Sequence, residues 1–172
     1  MNNNIINILL VEDEDAHAEL VRRAFERYPE KYRLNIVGTI NKARLILAES
    51  PPDIVIADMK LPDGGSIELL PGSIEQAEVP FIIITSYGDE LAAVKVMKNG
   101  ALDYVPKSEE MLANMPRLVD RVLREWLNIV GRKRSERALM VSNEQYRNLF
   151  IESPMGIAQI NSLNGQIYDY NP

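Results

Sequence analysis

The chain has 172 residues, of which 46% are apolar and 26% charged, with a formal net charge of −6; this is the balance of a globular protein, with length for one full domain and part of another. There is no cysteine, which excludes disulfides, thiolate metal sites and cysteine nucleophiles. The opening "MNNN" lacks the basic region of a signal peptide, and no apolar run approaches the roughly 18 residues of a membrane span, so a cytoplasmic location without membrane contact is expected.

The first predicted element is the apolar run "IINILLV" at 5–11, a strand that meets four consecutive acids, Glu12, Asp13, Glu14 and Asp15. A helix follows over 14–28. The runs "RLNIVG" (33–38), "DIVIA" (53–57), "VPFIIIT" (79–85) and "ALDYVP" (101–106) read as further strands, separated by helix-compatible stretches at 40–49, 66–71 and 89–98, with another from about 109. Such alternation predicts an α/β fold, a parallel sheet doubly wound by helices on both faces. The first, third and fourth runs are apolar almost throughout, as central strands buried on both faces must be.

In such a sheet the functional groups lie beyond the carboxyl ends of the strands. Glu12 and Asp13 follow the first run and Asp58 the third; the fourth ends on Thr85, and Lys107 follows the fifth. Carboxylates gathered this way take up protons unless a cation offsets them. With only oxygen ligands on offer, the fitting cation is Mg²⁺, which keeps positions open for a phosphoryl oxygen. Asp58 is then a candidate nucleophile able to form an acyl phosphate. Lys107 and the metal would balance charge on the phosphoryl group, Thr85 would bond one of its oxygens, and Lys107 would otherwise pair with Asp58.

Each residue also has an ordinary explanation. Acids favour the first turn of a helix, which suffices for Glu14 and Asp15; Asp58 could form a turn before "LPDGG", Thr85 could be a β-branched strand residue, and Tyr104 a core aromatic. Convergence at one sheet edge favours the site for Glu12, Asp13, Asp58 and Lys107. His17, the single histidine, sits in an amphipathic helix with no kinase motif around it and is assigned no catalytic role.

The motifs "VEDE", "DMKLPDG" (58–64), "TS" (85–86) and "DYVPK" (103–107) together resemble the receiver domain of two-component response regulators, over residues 5 to about 125. The resemblance implies a flavodoxin-like sheet of order 2-1-3-4-5. It implies that Asp58 accepts a phosphoryl group from the phosphohistidine of a cognate histidine kinase or phosphotransfer protein. Asp13, Asp58 and the backbone carbonyl of Lys60 would hold Mg²⁺, with Glu12 acting directly or through water. Thr85 and Tyr104 would form the switch pair, and Met59, Lys60 and Tyr87 would tune hydrolysis of the acyl phosphate. Such a chain is a signalling domain that only slowly dephosphorylates itself, not a turnover enzyme. Receivers commonly follow the lysine with a cis proline; Ser108 stands there instead, so the loop after Lys107 departs from the pattern.

Three alternatives fit less well. A phosphatase of the haloacid dehalogenase type needs an acid two residues after its nucleophile, and Lys60 occupies that position. The chain could be an interaction module independent of phosphorylation, or the receiver part of a hybrid sensor histidine kinase.

From 115 to 150 the pattern is helical, opening with Pro116, which a first turn tolerates. Val119, Val122, Trp126 and Ile129 form a stripe widened by Leu118, Leu123 and Val130, more apolar face than one receiver needs. After "GRKRSER" (131–137) the pattern resumes at Leu139, Tyr146 and Phe150. A signalling helix paired in a homodimer, its seam weakened at Gly131, is expected; a single helix with a solvated middle is the simpler alternative. Residues 1–112 hold 19 acids and 11 bases, residues 113–172 hold 6 and 8, and no recognition-helix pattern follows the basic stretch, so direct nucleic-acid contact is not expected. The final stretch resembles the beginning of a PAS domain, with "YRNLF", "SPMGI", the hairpin signal Asn164-Gly165 and a strand ending "YNP". The expected organisation is a receiver at 1–125, a linker helix at 126–144 and a PAS fragment at 145–172, with the output beyond Pro172.

Overall fold

The computed structural model describes residues 5–85, 90–151, 155–156, 158–161 and 166–170. It divides into two units, Met1–Trp126 and Leu127–Pro172.

In the first unit, β1 (Ile6–Val11), β2 (Tyr32–Val37), β3 (Ile54–Asp58), β6 (Phe81–Thr85) and β7 (Asp103–Pro106) form one parallel sheet in the order β2-β1-β3-β6-β7. Counted among themselves, these strands run 2-1-3-4-5, as expected. β3 and β6 are buried at every residue and β1 over its last four, because helices cover both faces of the centre. β4 (Lys60–Leu61) and β5 (Gly64–Gly65) form a small antiparallel hairpin just beyond β3.

Alternation along the strands divides the core in two. Leu9, Val11, Val55, Ala57, Phe81 and Ile83 pack with Ile40 and Ala43 of α2 (Ile40–Glu49), Val96 of α3 (Glu90–Lys98) and Leu69. The intervening Ile8, Leu10, Ile54, Ile56, Ile82 and Ile84, each at most 1% exposed, point to the other face. That face falls to Val21 and Phe25 of α1 (Asp15–Glu26), Leu112 of α4 (Glu109–Ala113) and the beginning of α5 (Met115–Ile151). Each such side chain contributes about 1.5–3 kcal/mol of hydrophobic stabilisation.

Local chemistry sets the boundaries. α1 stops at Glu26 rather than 28 because Tyr28 precedes Pro29 and is pushed from the helical region. The stretch expected to be helical at 66–71 is only a 3₁₀ turn, Ser66–Leu69, since Leu70 precedes Pro71 and is extended. Thr39 caps α2 by accepting from Lys42 N–H, while Asp63 in the β4–β5 turn accepts from the Ile40 and Asn41 N–H groups at 2.8 and 3.0 Å. Those two bonds hold the Asp63 carboxyl below its ordinary value.

α5 is the long helical extension. Leu118, Val119, Val122 and Trp126 are buried, so this part of the stripe completes the core of the first unit, while Ile129 and Val130 fall in the second unit and are partly exposed. Tyr32 OH donates to Asp120 at 2.6 Å, Lys31 pairs with Asp120 at 2.7 Å, and Arg121 pairs with Asp103 at 2.5 Å. In the second unit, Tyr146 and Phe150 stack one turn apart with centroids 5.4 Å apart. β8 (Ala158–Ile160) pairs antiparallel with β9 (Ile167–Tyr170). The Asn164-Gly165 turn lies outside the described residues, as do Asn171 and Pro172 of "YNP" and part of "SPMGI". No described helix is long and apolar enough to cross a membrane.

Candidate functional site

The strand ends of β1, β3, β6 and β7 meet at one edge, and the register there is tight. Glu12 N–H donates to Val37 O, Met59 N–H to Ile84 O and Lys107 N–H to Thr85 O, so each residue just past its strand is held by a carbonyl at the end of the neighbouring strand. Glu12, Asp58 and Thr85 are buried at 4%, 8% and 4% exposure; Asp13 is exposed.

Lys107 is the centre of the arrangement. Its Nζ donates to Asp58 Oδ2 at 2.7 Å and lies 3.0 Å from both oxygens of Glu12. Only Glu12 Oε1 is placed to accept, and it also receives Glu14 N–H; Oε2 is buried without a hydrogen-bond donor. Burial pushes the Glu12 carboxyl above its ordinary value despite the Lys107 and Glu14 hydrogen bonds. Burial pulls Lys107 down, but its bonds to Asp58 and Glu12 outweigh this and raise it above the usual lysine range.

Glu12, Asp13 and Asp58 can each present a carboxylate oxygen within 4.8 Å of the others. An all-oxygen set of this kind, with a buried oxygen lacking a donor, suits a small hard cation. Lys60 has a further property. Ser66 N–H bonds Met59 O while Lys60 lies opposite Gly65, so Lys60 and Gly65 form a non-hydrogen-bonded pair and the Lys60 carbonyl is turned out of the ladder.

Thr85 and Tyr104 occupy neighbouring strands, with Ile83 opposite Tyr104 and Thr85 opposite Pro106, so their side chains share the α2 and α3 face. Thr85 Oγ1 donates to Met59 Sδ at 3.6 Å. Tyr104 is half-buried and packs against the core on that face. Ser86 and Tyr87 lie outside the described residues. The departure at Ser108 has a local account: its Oγ accepts Met111 N–H at 3.2 Å and caps α4.

Glu14 begins the helix, as expected. It occupies the N-cap of α1 but makes no side-chain cap bond. Its carboxylate instead lies 2.8 Å from His17 Nδ1 and 4.0 Å from Lys107 Nζ. Glu14 thus sits at the start of the helix facing His17. The spacing of Glu14 and His17, three residues apart on a helix, was the available signal. Asp15 remains a first-turn acid.

A family model described as the response regulator receiver domain matches residues 8–121. The chain belongs to that family. This receiver is similar to the methanogenesis regulatory protein FilR1 of Methanothrix harundinacea, 33% identical over 130 residues, covering 73% of this chain and 29% of the relative. It is similar also to the KDP operon transcriptional regulatory protein KdpE of Escherichia coli, 33% identical over 101 residues, 59% of this chain and 44% of that one. The receiver chain thus spans less than half the length of either. Among solved structures it resembles the non-phosphorylated HemR receiver domain from Leptospira biflexa, with 27% identity and a TM-score of 0.58, covering 69% of this chain and 94% of that one.

Proposed function

We propose that this receiver is a phosphoacceptor switch in which Asp58 takes a phosphoryl group from a phosphohistidine of a histidine kinase or phosphotransfer protein. The observation that carries the proposal is the Lys107 ammonium held between Asp58 and Glu12 at the carboxyl end of β3. Asp58 Oδ attacks phosphorus, the phosphorus–nitrogen bond breaks, and the imidazole leaves with the electron pair. Lys107 is placed to follow the new negative charge, and the Thr85 hydroxyl to exchange its Met59 contact for a phosphoryl oxygen. Glu12, Asp13, Asp58 and the Lys60 carbonyl would hold Mg²⁺, whose chemistry is to offset charge on the transferring group. Tyr104 would turn inward behind Thr85.

The rest of the chain fits a relay to an output. Residues 1–125 would be the receiver, 126–144 a linker helix and 145–172 the first part of a PAS domain; the antiparallel β8–β9 pair supports the last. Exposed Leu127, Leu139 and Met140 on α5 support pairing with a second copy. A cytoplasmic site of action follows from a kinase partner.

Thermal melting with Mg²⁺ and beryllofluoride, an acyl phosphate analogue, tests the site. The native chain should melt several degrees higher with both present, as ligand binding to the folded state requires, and Asp58→Asn should not respond. An equal response from Asp58→Asn would contradict the assignment.

A further inference from the structure

We propose that Asp103 is a positioning residue that couples the switch strand to α5, its one carboxylate holding the backbone of Tyr104 and the side chain of Arg121 together. The proposal rests on the phosphoacceptor reading above.

Asp103 begins β7. Its Oδ1 accepts Tyr104 N–H at 2.8 Å, and its Oδ2 pairs with the Arg121 guanidinium at 2.5 Å. Successive strand residues face opposite sides of the sheet. Tyr104 packs on the α2 and α3 side, which leaves Asp103 on the α5 side, where Arg121 meets it. Adjacent residues of one short strand therefore address the proposed switch pocket and the long helix.

β7 is an edge strand, paired only with β6 in the sheet. Four residues beyond Asp103, Lys107 is bonded to Asp58 and Glu12 through its side chain and to Thr85 through its N–H. A change of charge or shape at Asp58 is thus felt at one end of a four-residue strand whose other end holds Arg121. The preceding residue of α5, Asp120, is tied to Lys31 and Tyr32 of the opposite edge. Side chains at Asp120 and Arg121 leave the helix about 100° apart. With one edge fixed through Asp120, a shift of β7 acting through Arg121 turns or tilts the helix instead of moving it bodily.

Trp126, the single tryptophan, lies on α5 five residues past Arg121 and is buried in the first unit. It reports the helix without labelling. The experiment uses the full chain with Mg²⁺ and beryllofluoride, following binding by ¹⁹F NMR and α5 by Trp126 emission. Asp103→Asn keeps an acceptor for Tyr104 N–H but removes the charge; Arg121→Gln removes the other partner; Arg121→Lys restores a cation. Expected are unchanged melting temperatures without ligand and beryllofluoride affinities within about twofold of native. The Trp126 response should fall by about fivefold in Asp103→Asn and Arg121→Gln, the lower range of ordinary allosteric coupling, and recover in Arg121→Lys. A native-sized response in the first two variants would overturn the coupling. Binding by the native chain without any Trp126 change would also overturn it while leaving the phosphoacceptor reading intact, whereas absence of ¹⁹F binding would remove the reading on which it rests.

Discussion

Lys107 Nζ lies 2.7 Å from Asp58 Oδ2 while also contacting Glu12 at 3.0 Å, so one ammonium, its side chain 8% exposed, serves two buried carboxylates. Removing it leaves both charges uncompensated. Lys107→Met is expected to cost about 3–5 kcal/mol, as for other broken buried pairs. Mg²⁺ should recover more stability in this variant than in the native chain, because it replaces the missing cation. Urea denaturation with and without Mg²⁺ measures both effects.

Glu12 should behave in the opposite way. Burial raises its carboxyl above the ordinary value. A carboxyl raised by folding stabilises the native state fully below its unfolded value, about 4.3, and loses that contribution as pH rises through the folded value. Ionised Glu12 therefore opposes folding at neutral pH. Glu12→Gln, which keeps an acceptor for Lys107, should gain about 1 kcal/mol at pH 7 without metal, as relief of a strained functional site commonly does. The gain should vanish near pH 4, and a denaturation series across pH reads the convergence.

Asp120 sets part of the acid limb. Burial pushes its carboxyl up, but the Lys31 and Tyr32 bonds outweigh this and hold it below the ordinary range. Its contribution is present above the unfolded value, about 3.9, and is lost as pH falls through the folded one. Asp120 is partly exposed, at 30% for the side chain, so the effect is about 1 kcal/mol. Asp120→Asn should be less stable than native by that amount at neutral pH and match it near pH 2 by urea denaturation.

Most of the sheet was legible because its strands are apolar on both faces, and Ile8–Val11, Ile54–Ala57 and Ile82–Ile84 could not sit elsewhere. Asp58 was read as following its strand and is in fact its last residue, which changes nothing in its placement at the edge. The β4–β5 hairpin was not legible, since two-residue strands carry no periodicity. Nor was the Asp63 cap on α2, 22 and 23 residues away in sequence. The apolar stripe of α5 was seen, but a sequence pattern does not say whether a face is covered by its own domain or by a partner.

Gly131 lies inside α5, and a Cβ there would meet nothing within 4 Å. Gly131→Ala should therefore stabilise the helix by about 1 kcal/mol through backbone entropy alone. Circular dichroism of the full chain on warming should show helical signal lost at higher temperature than in the native protein.

The most direct measurement is to map the acceptor. The chain is incubated with acetyl phosphate and Mg²⁺, the acyl phosphate is trapped by borohydride reduction, and the modified residue is located by peptide mass spectrometry. The account predicts that residue 58 alone is converted to homoserine, that chelating the metal prevents it, and that Asp58→Asn carries no label. Conversion at another carboxylate, or none while the native chain remains folded, would contradict it.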